Sequence, residues 1–349
     1  MPASEPEIRA NMLAGLDELL AKSYNIDMTA LLPAVGLPPG LKPDDGIGIP
    51  LNSYSRLLEL ASTQTGDDCL GLRFAGAFPR GGMLALGFLI LNAPDLGTCL
   101  DCLRRYVRIQ CDSIDFHLTE PDGLARLVVE CGPGFTAPRK QFLEFVTCLT
   151  VIRLGNEFGS GLVPLKAEFE YREPRCGGDY ELLFGRNLRF DAPQTALTFR
   201  SDVLKSRSPF ADDKLFEVLK TVVEAELTAL DRKQDVVWQV AEYIVPNLAM
   251  RAVNLEAAAT ATSRSARQLQ VDLRRQGTTF DDQVARIRRE LAERYLRDSS
   301  MPMTEIALML GFSELSAFTR AARGWFGMPP SQWRQQSRQA PPAPAGHRR

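Results

Sequence analysis

Two sets of side chains in the last hundred residues have the types and spacing to read an anionic, hydrogen-bonding partner. Ser316, Thr319, Arg320 and Arg323 stand at i, i+3, i+4 and i+7 and so share one helix face. Phe318, Ala321, Ala322 and Trp325 have the same spacing on another face, which reads as the buried one. An arginine fork fits guanine O6 and N7, and hydroxyls take either partner. Upstream, Arg267, Gln270, Val271 and Arg274 repeat the outward spacing, with Ala266, Leu269 and Leu273 facing inward. Leu269 corresponds to Phe318, so Val271 falls where the later set has Arg320. A valine can touch a thymine methyl but cannot make the bidentate guanine contact. Helix-surface arginines usually form a merely solvated face. Two matched sets, each behind a helix and a turn, favour nucleic acid instead.

The elements that must hold these faces are short helices. Met303–Leu310 reads as a helix with an Ile306, Ala307, Leu310 stripe, Gly311 breaks it, and Ser313 is placed to cap the next. Leu255–Ala261 and Ser265–Arg275, stopped by Gly277, form a weaker copy of this helix-turn-helix. Between the copies Val284–Tyr295 is helical and continues to about Arg297. Those 14 residues span ~21 Å at 1.5 Å each, a spacer able to set two helices into major-groove segments that repeat every ~34 Å. Arg286, Arg288, Arg289, Arg294 and Arg297 on this spacer are expected to pair with Glu290 and Glu293, with one or two near phosphates.

A chain of 349 residues holds about two domains. Its net charge of −2 argues against nucleic acid only when averaged. Residues 235–349 carry 16 Arg, no Lys and 11 acidic residues, a net of +5, whereas residues 1–234 carry 25 basic and 32 acidic residues, a net of −7. The asymmetry suggests a phosphate-binding C-terminal part joined to an acidic part with another task. The start, MPASEPEIRANMLAGLDELL, lacks a signal-peptide core, and the longest apolar run, Met83–Leu91, is far short of a membrane span. All seven cysteines precede residue 180, an odd number that fits reduced thiols in a cytoplasm.

The N-terminal part mixes periods. A helix is expected over Glu7–Lys22, a Pro/Gly-rich loop over Leu32–Pro50, and helices over Leu51–Thr63 and Met83–Asn92. Leu96, Leu100, Leu103 and Val107 mark the next helix. Period-two alternation at Ile114, Phe116 and Leu118, the turn Pro121-Asp122-Gly123 and the return Leu124–Cys131 give a hairpin. A helix opened by Pro138 runs to Phe158 with Phe142, Val146, Leu149 and Arg153 on one face. Strands at Leu165–Tyr171, Leu188–Phe190 and Ala196–Arg200, and a short helix at Asp179–Phe184, complete an α+β domain with a small antiparallel sheet. Asp212–Leu230 reads as a connector helix and dimer contact, with Leu215, Leu219, Val222, Glu226 and Leu230 along one side. The divisions expected are therefore 1–205 for sensing or dimerisation, 206–234 as linker, 235–336 as an all-α double helix-turn-helix domain, and 337–349 as a disordered tail. Met83–Leu91 and Phe142–Ile152 suit the walls of an apolar effector pocket or plain core, and the sequence leaves both open. Cys99 and Cys102 form a C-x-x-C that suits core packing better than a metal site or redox switch, since the only histidines are His117 and His347. Gly159-Ser160-Gly161 is a loop without the context of a phosphate cradle. No catalytic constellation, cofactor motif or metal cluster is legible.

Residues 235–336 resemble the DNA-binding domain of AraC/XylS-type transcription regulators. The resemblance is carried by LRRQGTTF (273–280), RRELAERYLRDSSMPMTEIALMLGFSELSAFTRAARGWFGMPPSQWR (288–334) and their spacing. Residues 1–210 resemble the effector domain of the branch that includes ornithine-utilisation regulators, through GLRFAGAFPRGGMLALGFLILNAPDLGTCLDCLRRYVR (71–108) and LFGRNLRFDAPQTALTF (183–199). The resemblance implies a cytoplasmic one-component regulator, most often an activator. It would bind double-stranded promoter DNA, a small organic effector, RNA polymerase and a second copy of itself, with no cofactor and no membrane. Carried over residue by residue, base contacts fall to Arg267, Gln270 and Val271 in the first unit and to Leu315, Ser316, Thr319, Arg320 and Arg323 in the second. The first unit departs from the family pattern. Thr262, Ser263 and Arg264 stand where a large apolar residue, a glycine and an apolar residue are usual, and Val271 replaces a common arginine. Asp272, beside it, is expected to be repelled by phosphates, which shifts base reading onto the second unit. The alternatives are a ligand-independent regulator whose N-terminal domain only dimerises or binds a protein, and an enzyme acting on the N-terminal ligand.

Overall fold

A computed structural model describes residues 5–159 and 162–339. The chain divides into two compact units at Leu227/Thr228. In the first, β1 (Glu7–Arg9) pairs antiparallel with β2 (Gly48–Pro50). Residues 7–22 are therefore not one helix. The chain runs as a strand, a tight turn over Ala10–Leu13, and only then α1 (Leu16–Tyr24), entered through Gly15 at φ +83°. Ile8, Leu13 and Leu16 are buried along this path, so their apolar spacing alone did not select the backbone that pairs with β2. The stretch Leu32–Pro50 is loop apart from a turn at Leu32–Val35 and β2 itself. Helices α2 (Leu51–Thr65), α3 (Leu70–Ala77), α4 (Leu84–Leu91) and α5 (Leu96–Tyr106) follow, of which α3 has no counterpart in the sequence reading.

The hairpin β3 (Ile114–Thr119) and β4 (Leu124–Cys131) lies where the alternation predicts it. Ile114, Phe116, Ala125, Leu127 and Val129 are buried, and Asp115 and His117 are exposed. After α6 (Lys140–Phe158) come β5 (Lys166–Glu168), α7 (Gly177–Phe184), β6 (Leu188–Arg189) and β7 (Thr195–Arg200). The sheet order is β3-β4-β7-β5-β6, antiparallel except for the parallel pair β5–β6. The domain is thus α+β with a small, largely antiparallel sheet.

Two features fix its core. The helices α3 and α6 approach closely because residue 71 is glycine: a Cβ there would lie 2.4 Å from the Gln141 carbonyl oxygen. Gly71 N–H donates to Gln141 Oε1 (2.7 Å) and Leu72 N–H to Glu144 Oε2 (3.3 Å), so this side of α6 faces α3. A disulfide between Cys69 and Cys176, with Cα atoms 6.4 Å apart, ties the start of α3 to the start of α7. This corrects the expectation that every thiol is reduced. The two cysteines are 107 residues apart, a separation with no sequence signature, and the other five are free.

Helix α8 (Asp213–Gln234) buries Phe216 and Val223 against the first unit and packs Leu219 and Leu227 beside them. Of the stripe read as a connector and dimer contact, Leu219 packs inward, whereas Leu215 and Val222 are 43% and 44% exposed. Adjacent apolar pairs at 215–216 and 222–223 allow either phase, and tertiary packing selects the second. Tyr106 Oη donates to Glu224 Oε1 at 3.0 Å, and Arg9 pairs with Glu226 at 3.4 Å on the same helix.

The second unit is all helical: α9 (Val236–Asn247), α10 (Leu255–Ala261), α11 (Ala266–Arg275), α12 (Phe280–Asp298), α13 (Met303–Met309), α14 (Leu315–Phe326) and α15 (Pro330–Gln339). Of the expected tail, residues 337–339 close α15, and 340–349 lie outside the described residues, as do His347, Ser160 and Gly161. Among the described residues no helix is long and apolar enough to cross a membrane.

Candidate nucleic-acid interface

The second unit has two apolar cores strung along α12. Val240, Ile244, Leu269, Leu273 and Ile287 belong to the first; Ala292, Leu296, Ile306, Leu310 and Phe318 belong to the second; Leu291 packs against both. α12 has 19 residues, about 28 Å at 1.5 Å each, longer than the ~21 Å read from sequence. The difference is its start, where Thr279 and Asp282 form a reciprocal capping box.

In the first helix-turn-helix Asn254 caps α10 and Ser265 caps α11, accepting from Ala257 N–H (2.8 Å) and Gln268 N–H (3.2 Å). The unusual triplet between these helices is organised by Arg264. Its guanidinium donates to Gln239 Oε1 (2.6 Å), to the Thr262 carbonyl (2.8 Å) and to Asp272 Oδ2 (3.2 Å). Gln268 Nε2 donates to Asp272 Oδ1 at 2.7 Å. Ser263 adopts φ +54°, the left-handed conformation that a glycine takes without strain. Asp272 therefore does not stand free to repel phosphates. Its carboxylate, 22% exposed, is held by Arg264.

In the second helix-turn-helix Gly311 adopts φ +77°, and a Cβ on it would lie 2.4 Å from the Leu248 carbonyl oxygen at the end of α9. Arg288 Nε donates to the Leu310 carbonyl at 3.0 Å, and its guanidinium lies 4.9 Å from the Phe312 ring centre. Arg288 thus binds the turn instead of a glutamate. Arg286–Glu290 and Arg297–Glu293 pair as expected. The N-cap of α14 is Glu314, one residue beyond the expected Ser313, and it makes no capping bond through its side chain. Its exposed carboxylate accepts from the Ser316 hydroxyl, an acidic group that the sequence reading missed because it assigned the cap one residue early.

Arg267, Gln270, Val271, Arg274, Leu315, Ser316, Arg320 and Arg323 are exposed, and Thr319 is half-buried with its hydroxyl donating to the Leu315 carbonyl (2.8 Å). Phe318 and Ala322 are buried, with Ala321 and Trp325 half-buried on the same side. Among the described residues no hydrogen bond or ion pair engages the guanidinium of Arg267, Arg274, Arg320 or Arg323. By contrast Arg251, Arg264, Arg286, Arg288 and Arg297 each have a protein partner. Arg289 and Arg294 on α12 are also exposed without such a partner.

The first unit contains a cavity of about 70 Å³ among α4, α5, β3 and α6. Phe142, Val146, Leu149 and Arg153, the face of α6 grouped by sequence spacing, line it together with Met83 and Ile90. Cys99 also lines this cavity. Burial pushes the Cys99 thiol far up and the Cys102 thiol to about 11, so neither is a ready thiolate. Buried Glu144 has its pKa raised by desolvation, and it is held inside the fold by Lys140, Tyr180 and Leu72 N–H. Among the described residues no group of three or more His, Cys, Asp or Glu is arranged to hold a metal ion.

Paired helix-turn-helix units on one spacer, carried by a chain with a separate α+β domain, define a DNA-binding regulator with an N-terminal effector domain. Residues 26–208 match the arabinose-binding N-terminal domain of AraC transcription regulators, and residues 258–336 match a helix-turn-helix domain. The chain belongs to the AraC family of transcription regulators. It is 26% identical over 323 residues to the ornithine utilization regulator of Pseudomonas aeruginosa, covering 90% of this chain and 93% of the relative. It is 28% identical over 338 residues to the transcriptional regulator VirS of Mycobacterium tuberculosis, covering 94% and 96%. The crystal structure of the regulator CdpR from Pseudomonas aeruginosa aligns with TM-score 0.41 and 16% identity, over 88% of this chain and 96% of that one.

Proposed function

We propose that the chain is a cytoplasmic, ligand-responsive transcriptional activator and not an enzyme. It reads promoter DNA as a homodimer and contacts RNA polymerase. Residues 1–205 sense or dimerise, 206–234 link, and 235–336 bind DNA. Base edges are read by Leu315, Ser316, Thr319, Arg320 and Arg323, and more weakly by Arg267, Gln270 and Val271, with Arg274 on phosphate. The observation that carries this reading is the division among arginines. Arg251, Arg264, Arg286, Arg288 and Arg297, which hold the two turns and part of the spacer, have protein partners, whereas the four on the outward faces of α11 and α14, like Arg289 and Arg294 on α12, have none among the described residues. An unpaired surface guanidinium is the form that phosphate and guanine both take.

The second helix-turn-helix is assigned most of the sequence discrimination because Val271 in the first offers only apolar contact. Fluorescence anisotropy on promoter fragments from the chain's own operon region tests the reading. Affinity falls steeply with salt, with log K against log salt declining by about 0.9 per phosphate neutralised. A slope near zero contradicts it. Relatives named as transcriptional regulators over almost their whole length support regulation over catalysis. Consumption of a small molecule on incubation with the purified chain would support the enzymatic alternative.

A further inference from the structure

The cavity in the first unit has almost no polar capacity to spare. Gln110 on its wall is satisfied within the fold, its Nε2 donating to the Met83 carbonyl (3.0 Å) and its Oε1 accepting from Asn11 Nδ2 (2.8 Å). The Thr150 hydroxyl donates to the Val146 carbonyl at 2.8 Å. Arg153 remains. One of its nitrogens donates to the Phe78 carbonyl (2.6 Å), and among the described residues it forms no ion pair. The neighbouring acid, Glu157, is bridged by Arg80. Arg153 also lines a smaller void that shares Met83 and Ile90 with the first, so the half-buried cation stands where two apolar spaces meet.

We propose that this cavity binds an apolar carboxylic acid, with its carboxylate on the Arg153 guanidinium and its hydrocarbon between α4 and α6. The assignment rests on reading the first unit as an effector domain and names the class of effector. A sugar would surrender the hydration of several hydroxyls to walls whose polar groups are already occupied. A basic amino acid would bring ammonium groups toward an arginine. A single anionic head supplies the charge-assisted hydrogen bonds that a half-buried guanidinium lacks, and an apolar tail suits the rest of the wall. The void is smaller than the ~150 Å³ that admits a benzene ring, so a chain of several carbons enters only as α4 moves outward. α4 is suited to that movement. Leu86 and Leu89 are buried on one side, Leu84 and Phe88 are 45% and 46% exposed on the other, and Leu84 begins the helix at φ +52°, which strains a non-glycine residue.

The test uses the full-length chain, with thermal shift and titration calorimetry against octanoate, hexanoate, octanol, octylamine, L-arabinose and L-ornithine. Octanoate is expected to raise the melting temperature saturably by mass action. Octanol should bind at least about tenfold more weakly, and octylamine, arabinose and ornithine should give no saturable shift. Arg153→Gln should reduce octanoate affinity to that of octanol and leave octanol unchanged, with Arg153→Lys intermediate. Val146→Phe should block both, which keeps the site testable if Arg153→Gln does not fold. Undiminished octanoate binding in Arg153→Gln or Val146→Phe, or arabinose or ornithine binding without octanoate binding, overturns the proposal. In the second case the effector-domain reading stands. If octanoate binds through Arg153 but promoter affinity and transcription in vitro do not change with it, the site stands and the effector reading falls.

Discussion

Replacing Gly311 by alanine isolates the contact that seats the second reading unit. Two costs arise. The first is conformational: at φ +77° an L side chain is strained by about 1–2 kcal/mol. The second is steric, because the new Cβ would lie 2.4 Å from the Leu248 carbonyl oxygen, about 1 Å inside ordinary contact. Either that carbonyl moves and weakens the bond it accepts from Arg251 N–H (3.0 Å), or α13 withdraws and loosens Ile306 and Leu310, with overpacking of this kind costing about 1–3 kcal/mol. The sum is about 3 kcal/mol. Gly277→Ala is the control, since its φ is +72° but nothing lies within 4 Å of the new Cβ. It should cost only the conformational part, about 1 kcal/mol. All three tryptophans, Trp238, Trp325 and Trp333, belong to the C-terminal unit, so their fluorescence in urea reports that unit alone. With a slope near 1.5 kcal/mol per molar urea, the midpoint should fall by about 2 M for Gly311→Ala and by less than about 1 M for Gly277→Ala. Equal shifts would refute the argument from the Leu248 contact.

Three further outcomes are expected. Arg320→Ala should cost more discrimination between promoter and random DNA than Arg267→Ala, by about 1–3 kcal/mol in competition binding, while Arg274→Ala should weaken all sequences alike and reduce the salt slope by about one. Asp272→Ala should destabilise the C-terminal unit by about 1–2 kcal/mol in the same urea assay, because Arg264 loses its carboxylate, yet leave DNA affinity equal or higher; a marked loss of affinity without destabilisation would show that Asp272 acts on DNA directly. Burial raises the pKa of Glu144, so the folded chain keeps this proton to higher pH than the unfolded chain, and the corresponding stability is present at low pH and lost as pH rises through the folded value. Glu144→Gln should accordingly flatten the pH dependence of the melting temperature above pH 4.5. An unchanged profile would place the titration elsewhere.

Legibility in the sequence followed how strongly periodicity constrained each segment. The β3–β4 hairpin was readable because alternation and a Pro-Asp-Gly turn admit one register. The cavity face of α6 was readable because Phe142, Val146, Leu149 and Arg153 keep helical spacing in a helix of 19 residues. The opening strand was not, since Ile8 and Leu13 suit a helix as well as a strand followed by a turn, and its partner β2 lies some forty residues away. Adjacent apolar residues made the phase of α8 ambiguous, and only packing against the first unit resolved it. The outward faces of both reading helices were legible because amphipathic helices separate their faces cleanly. The role of Arg264 was not, because its partners Gln239 and Asp272 come from two other positions of the fold.

The Arg264–Asp272 pair sets the smallest piece of the first helix-turn-helix that can be exchanged as a cassette. A helix grafted from another regulator, carrying arginine at 271 but no acid at 272, would leave Arg264 in a half-buried turn with the neutral acceptors Gln239 and Thr262 and no carboxylate. Conversely, rebuilding the turn with glycine at 263 and an apolar residue at 264 would leave Asp272 facing no cation but Arg275, 3.8 Å away. An exchange of this helix that keeps the turn intact would therefore have to replace residues 262–272 as one block, so that Arg264 and Asp272 change together.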